Sequence, residues 1–271
     1  MSKKSSSFVD VLNSIFAPVA IIVAFIVAWF LYKNVMGNPV NFVEGNIHGH
    51  PLPGNYLGMV YKGGMIVPIL MTIVLTLLIF VVERAITLWR VQGKAPLKTF
   101  VAKVQGLLAE DKIEDALVAC DKQKGSLANV LKAGLERYRS LEKDKELEKD
   151  QKITSMKQAL EEATALELPM LSRNMVILST IVSIAVLIGL IGTVLGMIRA
   201  FGALAQSGAP DALALATGIS EALINTAFGI TGSTLAVIFY NYFSSQIDSY
   251  TYKIDEAGFS LTQTFAASIR K

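Results

Sequence analysis

Glu221 is a lone carboxylate inside an apolar run that begins near Ala212 and continues to Ile247. Its neighbourhood reads Ile219-Ser-Glu-Ala-Leu-Ile-Asn-Thr-Ala-Phe-Gly-Ile-Thr-Gly-Ser233. Glu221, Asn225, Gly229 and then Gly232 or Ser233 recur at helical spacing, so they share one face of a helix. That face carries an acid, an amide, a hydroxyl and small residues. Leu223, Ile230 and Val237 lie opposite. A polar stripe of this kind must face protein or water, because an ionised side chain at the bilayer centre costs at least ~2.5–3.5 kcal/mol. About nine apolar or small residues precede Glu221, which places it ~13 Å inside the run by helical rise. Burial disfavours the charged form of a carboxyl, so a carboxylate so placed can load and release a proton. The competing reading puts Glu221 at the membrane interface, where it would only cap or snorkel.

A second run, Asn174 to Ile198, holds Gly189-Leu-Ile-Gly192-Thr193-Val-Leu-Gly196. Gly192 and Gly196 form a small-xxx-small pair, with Gly189 one turn earlier. Small residues at this spacing let helix backbones approach closely where lipid supplies no hydrophobic drive. Gly189, Gly192, Gly196, Gly229 and Gly232 are therefore read as packing residues. Thr193 can satisfy its hydroxyl on the preceding turn and by itself says little. With Glu221, Asn225 and Thr226 it completes the candidate proton path.

A helix needs about 20 apolar residues to cross the hydrocarbon core. Four stretches qualify: Val11–Tyr32, Gly63–Val82, Asn174–Ile198 and Ala212–Ile247. The expected fold is all-α: a polytopic membrane protein with four transmembrane helices, some of them extending into a helical cytoplasmic domain. Residues 1–36 are read as an extra membrane anchor, with the first span a retained signal anchor. Residues 37–62 form an outer, periplasmic loop and 63–85 a second span. Residues 86–172 form the cytoplasmic domain, 173–247 a pore-lining hairpin and 248–271 a cytoplasmic tail. Of the 25 Lys and Arg residues, 17 lie between Glu83 and Arg173 and five near the termini. This bias puts that segment and both termini in the cytoplasm and leaves Lys33, Lys62 and Arg199 flanking spans outside. Helical periodicity runs without a stop from about Gln151 to Ala200, which predicts one continuous helix of about 75 Å, with Pro169 available for a kink. Gly125-Ser126 marks a helix break, and the charged run Leu141–Lys152 reads as a solvated helix or connector. The connection from about Phe201 to Asp211 reads as short.

Other chemistry is weakly represented. Cys120, the single cysteine, excludes an intrachain disulfide and reads as a packed helix residue. His48 and His50 lack further ligands at metal-binding spacing, so no metal or other cofactor is expected. No nucleophile–base set or phosphate loop suggests an enzyme. The charge of +3 serves topology, and the inner segment has about as many acids as bases, so no nucleic-acid surface is expected. One carboxylate and a few hydroxyls make no path through a single subunit. A ring of copies with stripes toward a common axis does, and a second component can bring the other ionisable group.

The blocks Ile188-Gly-Leu-Ile-Gly-Thr-Val-Leu-Gly-Met-Ile198 and Leu215-Ala-Thr-Gly-Ile-Ser-Glu-Ala-Leu-Ile-Asn-Thr-Ala-Phe-Gly-Ile230, followed by Val237-Ile-Phe-Tyr-Asn-Tyr242, resemble the ExbB/TolQ/MotA family, its ExbB members most closely. The resemblance covers roughly Gly63 to the C-terminus. It implies a pentamer in the bacterial inner membrane that encloses single-span ExbD helices, each with an Asp. Protons would flow down their gradient, ExbD would rotate in the ring, and a TonB-like protein would carry the work to outer-membrane transporters. The family's polar pore positions fall on Thr193, Glu221 and Thr226. Three features depart from the pattern: Val186 stands where a Pro is usual, Asn225 where Ala is frequent, and the Val11–Tyr32 span is additional. The leading expectation is a proton-driven motor subunit. A TolQ-like or gliding-type motor, a self-contained ion channel and a passive scaffold are the alternatives.

Overall fold

The computed structural model describes residues 3–143, 147–206 and 212–268. Nine α-helices and three short helical turns account for nearly all of these residues, and the described residues contain no strand. Four segments are long and apolar enough to cross a membrane: Ile15–Met36, Ile66–Val91, one within Lys149–Ala203 and one within Ala214–Ala267. The expected all-α, four-span architecture is therefore present. The contacts divide the chain into two compact units, Met1–Val82 with Val176–Tyr240, and Glu83–Met175 with Asn241–Lys271.

The first unit is the apolar bundle. Helix α1 (Lys3–Phe30) runs into a wider π turn, Leu31–Met36, where the Gly37 N–H bonds the Tyr32 carbonyl at 2.9 Å, five residues back. The loop that follows is tied down by Asn41. Its Nδ2 donates to the Val35 and Met36 carbonyls at 2.7 and 3.0 Å, filling acceptors that the helix end leaves free. Asn55 caps the short helix α2 (Tyr56–Tyr61) by accepting from Gly58 N at 3.0 Å. Helix α3 (Ile66–Val91) follows the Gly63–Gly64 turn. Helices α8 (Met175–Gln206) and α9 (Ala212–Ser268) lie backbone to backbone. A Cβ on Gly189 would stand 3.0 Å from the Asn225 carbonyl oxygen, and one on Gly196 would stand 2.8 Å from Ala222 N. A Cβ on Gly229 would meet the Ala185 carbonyl oxygen at 2.7 Å. Side chains larger than hydrogen would force this pair apart.

The second unit packs helices α4 (Leu97–Ala109), α5 (Ile113–Gln123), α6 (Ser126–Lys143), α7 (Lys149–Ser172) and the last turns of α9. Its core buries Phe100, Leu131, Leu135, Leu160, Leu261 and the Tyr138–Phe265 ring pair, whose centroids are 4.6 Å apart. Gln123 staples the α3–α4 connection, with Nε2 donating to Ala95 O at 2.8 Å and Oε1 accepting from Ala95 N at 3.0 Å. Cys120 is buried among these helices, and burial, with Asp121 beside it, pushes its thiol up to about 12. A thiol so held is protonated and unreactive, which agrees with a packing role.

Two local differences from the sequence reading have clear causes. The unbroken Gln151–Ala200 helix is in fact two, α7 and α8, interrupted at Arg173–Asn174. Asn174 takes φ +63°, the left-handed conformation that ends helices and that Asn tolerates better than most residues. Pro169 sits inside α7, so the break comes from the Asn and not from the Pro. Helix α8 continues past Arg199 to Gln206. Helix α9 likewise runs unbroken beyond Ile247 to Ser268. The connection expected at about Phe201–Asp211 falls largely on residues 207–211, outside the described residues, as do residues 144–146 of the charged run.

Candidate functional site in the apolar bundle

The polar stripe of α9 is buried. Glu221 is 7% exposed and Asn225 is fully buried, whereas Leu223 and Ile230 are 65% and 53% exposed. Helical spacing alone separates these faces, because α9 turns the same edge to α8 at each turn.

Each polar side chain on this edge meets a specific neighbour. The Glu221 carboxylate pairs with the guanidinium of Arg199 on α8. Its side chain is nearly buried, while that of Arg199 is 54% exposed, so the pair has one dry end and one open end. Asn225 Nδ2 donates to the Gly63 carbonyl at 2.9 Å, and its Oδ1 is buried with no hydrogen-bond partner among the described residues. The Thr193 and Thr226 hydroxyls touch each other. They also reach back along their own helices, Thr193 Oγ1 to Gly189 O and Thr226 Oγ1 to Ala222 O, each at 3.2 Å. One level further along, Ser233 Oγ donates to Val182 O at 2.7 Å. The backbone of these helices is satisfied internally, so exchangeable hydrogens along this edge come from side chains. Hydroxyls both donate and accept, and the carboxylate accepts a proton. From Glu221 to Thr226 the lane covers about 7.5 Å along the helix axis.

The structure thus brings together all four residues expected on the proton path: Thr193, Glu221, Asn225 and Thr226. The expected packing glycines split into two groups. Gly189, Gly196 and Gly229 face the opposing helix backbone, and Gly192 is pressed on the Asn225 side chain at 2.5 Å from a would-be Cβ. Gly232 sits at the edge of the seam, where a Cβ would lie 3.3 Å from Val74 of α3 and 3.6 Å from Ala185 of α8. The seam also uses Ala200 and Gly218, which sequence reading passed over. A Cβ on Gly218 would lie 2.7 Å from Ala200 Cβ.

Sequence reading missed two further members. Arg199 reads from the sequence only as a charge flanking a span, yet Gly192, Gly196 and Arg199 recur at i, i+4 and i+7, one helix face. That spacing was the available signal. Gly64 lies where a Cβ would come within 2.2 Å of Glu221 Oε1, with φ at +75°. Nothing in the sequence distinguishes it from other loop glycines. His48 and His50 lie in the loop before α2, and among the described residues no group of three or more His, Cys, Asp or Glu side chains gathers as a metal site.

Comparison with known proteins bears on this site. Residues 122–256 match the MotA/TolQ/ExbB proton channel family. A protein named putative biopolymer transport protein ExbB-like 3, from Synechocystis sp., is 39% identical over 94 residues, covering 34% of this chain and 45% of that one. The biopolymer transport protein ExbB of Salmonella typhimurium is 42% identical over 73 residues, or 27% and 30% of the two chains. The Tol-Pal system protein TolQ of Pseudomonas aeruginosa is 32% identical over 117 residues, or 43% and 51%. The chain spans about half or less of the length of these curated relatives. The matched stretch includes the Thr193, Glu221, Asn225 and Thr226 lane, and with it the chain is an ExbB-like member of the MotA/TolQ/ExbB proton channel family.

Proposed function

We propose that this chain is a stator-type subunit of a motor driven by the proton-motive force. Copies form a ring in the bacterial inner membrane, most simply a pentamer, with both termini and the α4–α7 domain in the cytoplasm. The ring surrounds the single membrane helix of an ExbD-like partner. Proton passage along the Glu221 lane moves that partner, and a TonB-like protein takes up the work for outer-membrane transport. The observation that carries this reading is a buried carboxylate on a continuous polar edge of a membrane helix, inside a family described as proton channels.

The energetics suit the role. One charge crossing 100 mV releases ~2.3 kcal/mol, so a few protons supply several kcal/mol of mechanical work. One acid per subunit leaves the lane incomplete, and a partner acid completes it. A self-contained channel would conduct without that partner. A TolQ-like load is the nearest alternative, and the similarity to a TolQ protein over 117 residues supports keeping it. The copurifying single-span protein tells the two apart.

The test is substitution at Glu221 in cells that depend on this chain for energised uptake. Glu221→Ala and Glu221→Gln are expected to assemble normally and to abolish uptake. Full uptake with Gln would reduce Glu221 to a residue that fixes helix register and would defeat the motor reading.

A further inference from the structure

Glu221 has a counter-charge and a wall within its own subunit, and neither is needed for a carboxylate that simply lines a pore. The counter-charge is Arg199. The wall is the turn before α3. Gly64, at φ +75°, lies so close that a Cβ there would stand 2.2 Å from Glu221 Oε1 and 3.2 Å from Arg199 Nη1. Gly63 joins the wall by accepting from Asn225 at 2.9 Å.

What holds this turn in place is the additional N-terminal span. The Tyr32 hydroxyl donates to the Tyr61 carbonyl at 3.1 Å, and the Gly64 N–H bonds the same oxygen at 3.3 Å. The two tyrosine rings stack with centroids 4.7 Å apart and planes 22° from parallel. Gly37 admits the Tyr61 ring, since a Cβ there would meet it at 2.5 Å. Below the stack, Ala28 and Tyr32 of the N-terminal helix pack on Val67 and Met71 of α3, with Ile224 and Phe228 of α9 alongside. Tyr32 therefore bears on Glu221 through one shared carbonyl and one glycine turn.

We propose that Arg199 and the Gly63–Gly64 turn form a latch that holds Glu221 inside its own subunit, and that the N-terminal span keeps the latch closed through Tyr32. This rests on the motor reading above. The carboxylate becomes available to a partner acid only when the pair parts and the turn yields. Arg199 and Tyr32 are positioning residues: they set when Glu221 can act and carry no proton themselves.

The probe is dicyclohexylcarbodiimide, an apolar reagent that adds to the neutral acid form of a membrane carboxyl. It is applied at neutral pH to full-length protein in native membranes, and the mass of the fragment containing Glu221 is measured. Without the Arg199 guanidinium the Glu221 carboxyl loses the partner that holds it against its own subunit. The wild-type chain is expected to resist labelling, and Arg199→Lys, which keeps the charge, to stay near it. Arg199→Gln, which removes the latch, is expected to label at least several-fold more. Tyr32→Phe keeps the ring stack, removes only the hydroxyl bond, and is expected to label at an intermediate level. Glu221→Gln gives the blank. Labelling of Arg199→Gln at the wild-type level, or of the wild type at the Arg199→Gln level, overturns the latch. Labelling of Arg199→Gln without Tyr32→Phe overturns the role of the N-terminal span. Uptake reports separately: loss of uptake in Glu221→Ala with unaltered labelling in Arg199→Gln leaves the motor and removes the latch.

Discussion

Glu221 and Asn225 are the two buried polar side chains of α9 in the apolar bundle, and they are satisfied in different ways. Glu221 has a charge partner with one open end, whereas Asn225 has a backbone acceptor and a spare oxygen in a dry place. A buried acceptor left unpaired costs roughly 1–3 kcal/mol, so the amide is retained against its own cost, consistent with work in the lane. Its position depends on Gly192. A methyl there would stand 2.5 Å from Cβ of the fully buried Asn225. Gly192→Ala is expected to destabilise the bundle by roughly 1–3 kcal/mol, the usual cost of overpacking. A lowered thermal midpoint of the detergent-purified protein would register it, and an unchanged midpoint would mean that the seam is looser than described. The stripe was legible in the sequence because a 3.6-residue period reveals which residues share a face. The pairing of Arg199 was not, because a charge next to an apolar run looks the same whether it meets headgroups or folds back on an acid.

At the scale of elements, the break between α7 and α8 is the feature that hydropathy could not locate. Both sides of Arg173–Asn174 have good helical periodicity, and the visible helix breaker is Pro169. The break is made by the backbone of Asn174 and secured from another helix. Arg84, 1% exposed, donates through Nη1 to the Leu171 carbonyl at 3.1 Å while it pairs with Glu83 at 2.6 Å. Leu171 is in the last turn of α7, where carbonyls lack helical partners. A positive φ costs a residue with a Cβ about 1–2 kcal/mol, most of all a β-branched one. Asn174 also donates a side-chain hydrogen bond to Glu83, which Gly and Val both lose, so Asn174→Val is expected to be about 1–2 kcal/mol less stable than Asn174→Gly. Thermal unfolding of the two variants side by side decides it, and equal midpoints would remove the conformational argument.

For the molecule as a whole, the apolar bundle leaves many large side chains uncovered. Phe30, Val194, Ile198, Leu223 and Ile230 are all more than half exposed. In water this would be an aggregation surface, and in a membrane it meets lipid or other subunits. The ring of copies proposed above would cover part of this surface and bring several Glu221 carboxylates together. The mass of the intact detergent-purified complex is expected at a multiple of the 29.3 kDa chain, five copies being the simplest case, plus a smaller single-span component. A particle of one chain would exclude the ring.

The sequence by itself determined the all-α class, the four apolar spans and the face of α9 that carries Glu221, Asn225 and Gly229. These follow from composition and period, which are properties of neighbouring residues. The tertiary structure decided what Glu221 faces. Arg199, Gly64 and Tyr32 lie 22, 157 and 189 positions from it along the chain and converge on it only when α8 and the turn before α3 pack against α9, with the N-terminal helix packed on that turn. No local pattern encodes such a meeting, because which charge reaches an acid depends on how closely the backbones pack. In this bundle glycines and alanines on two helices set that distance.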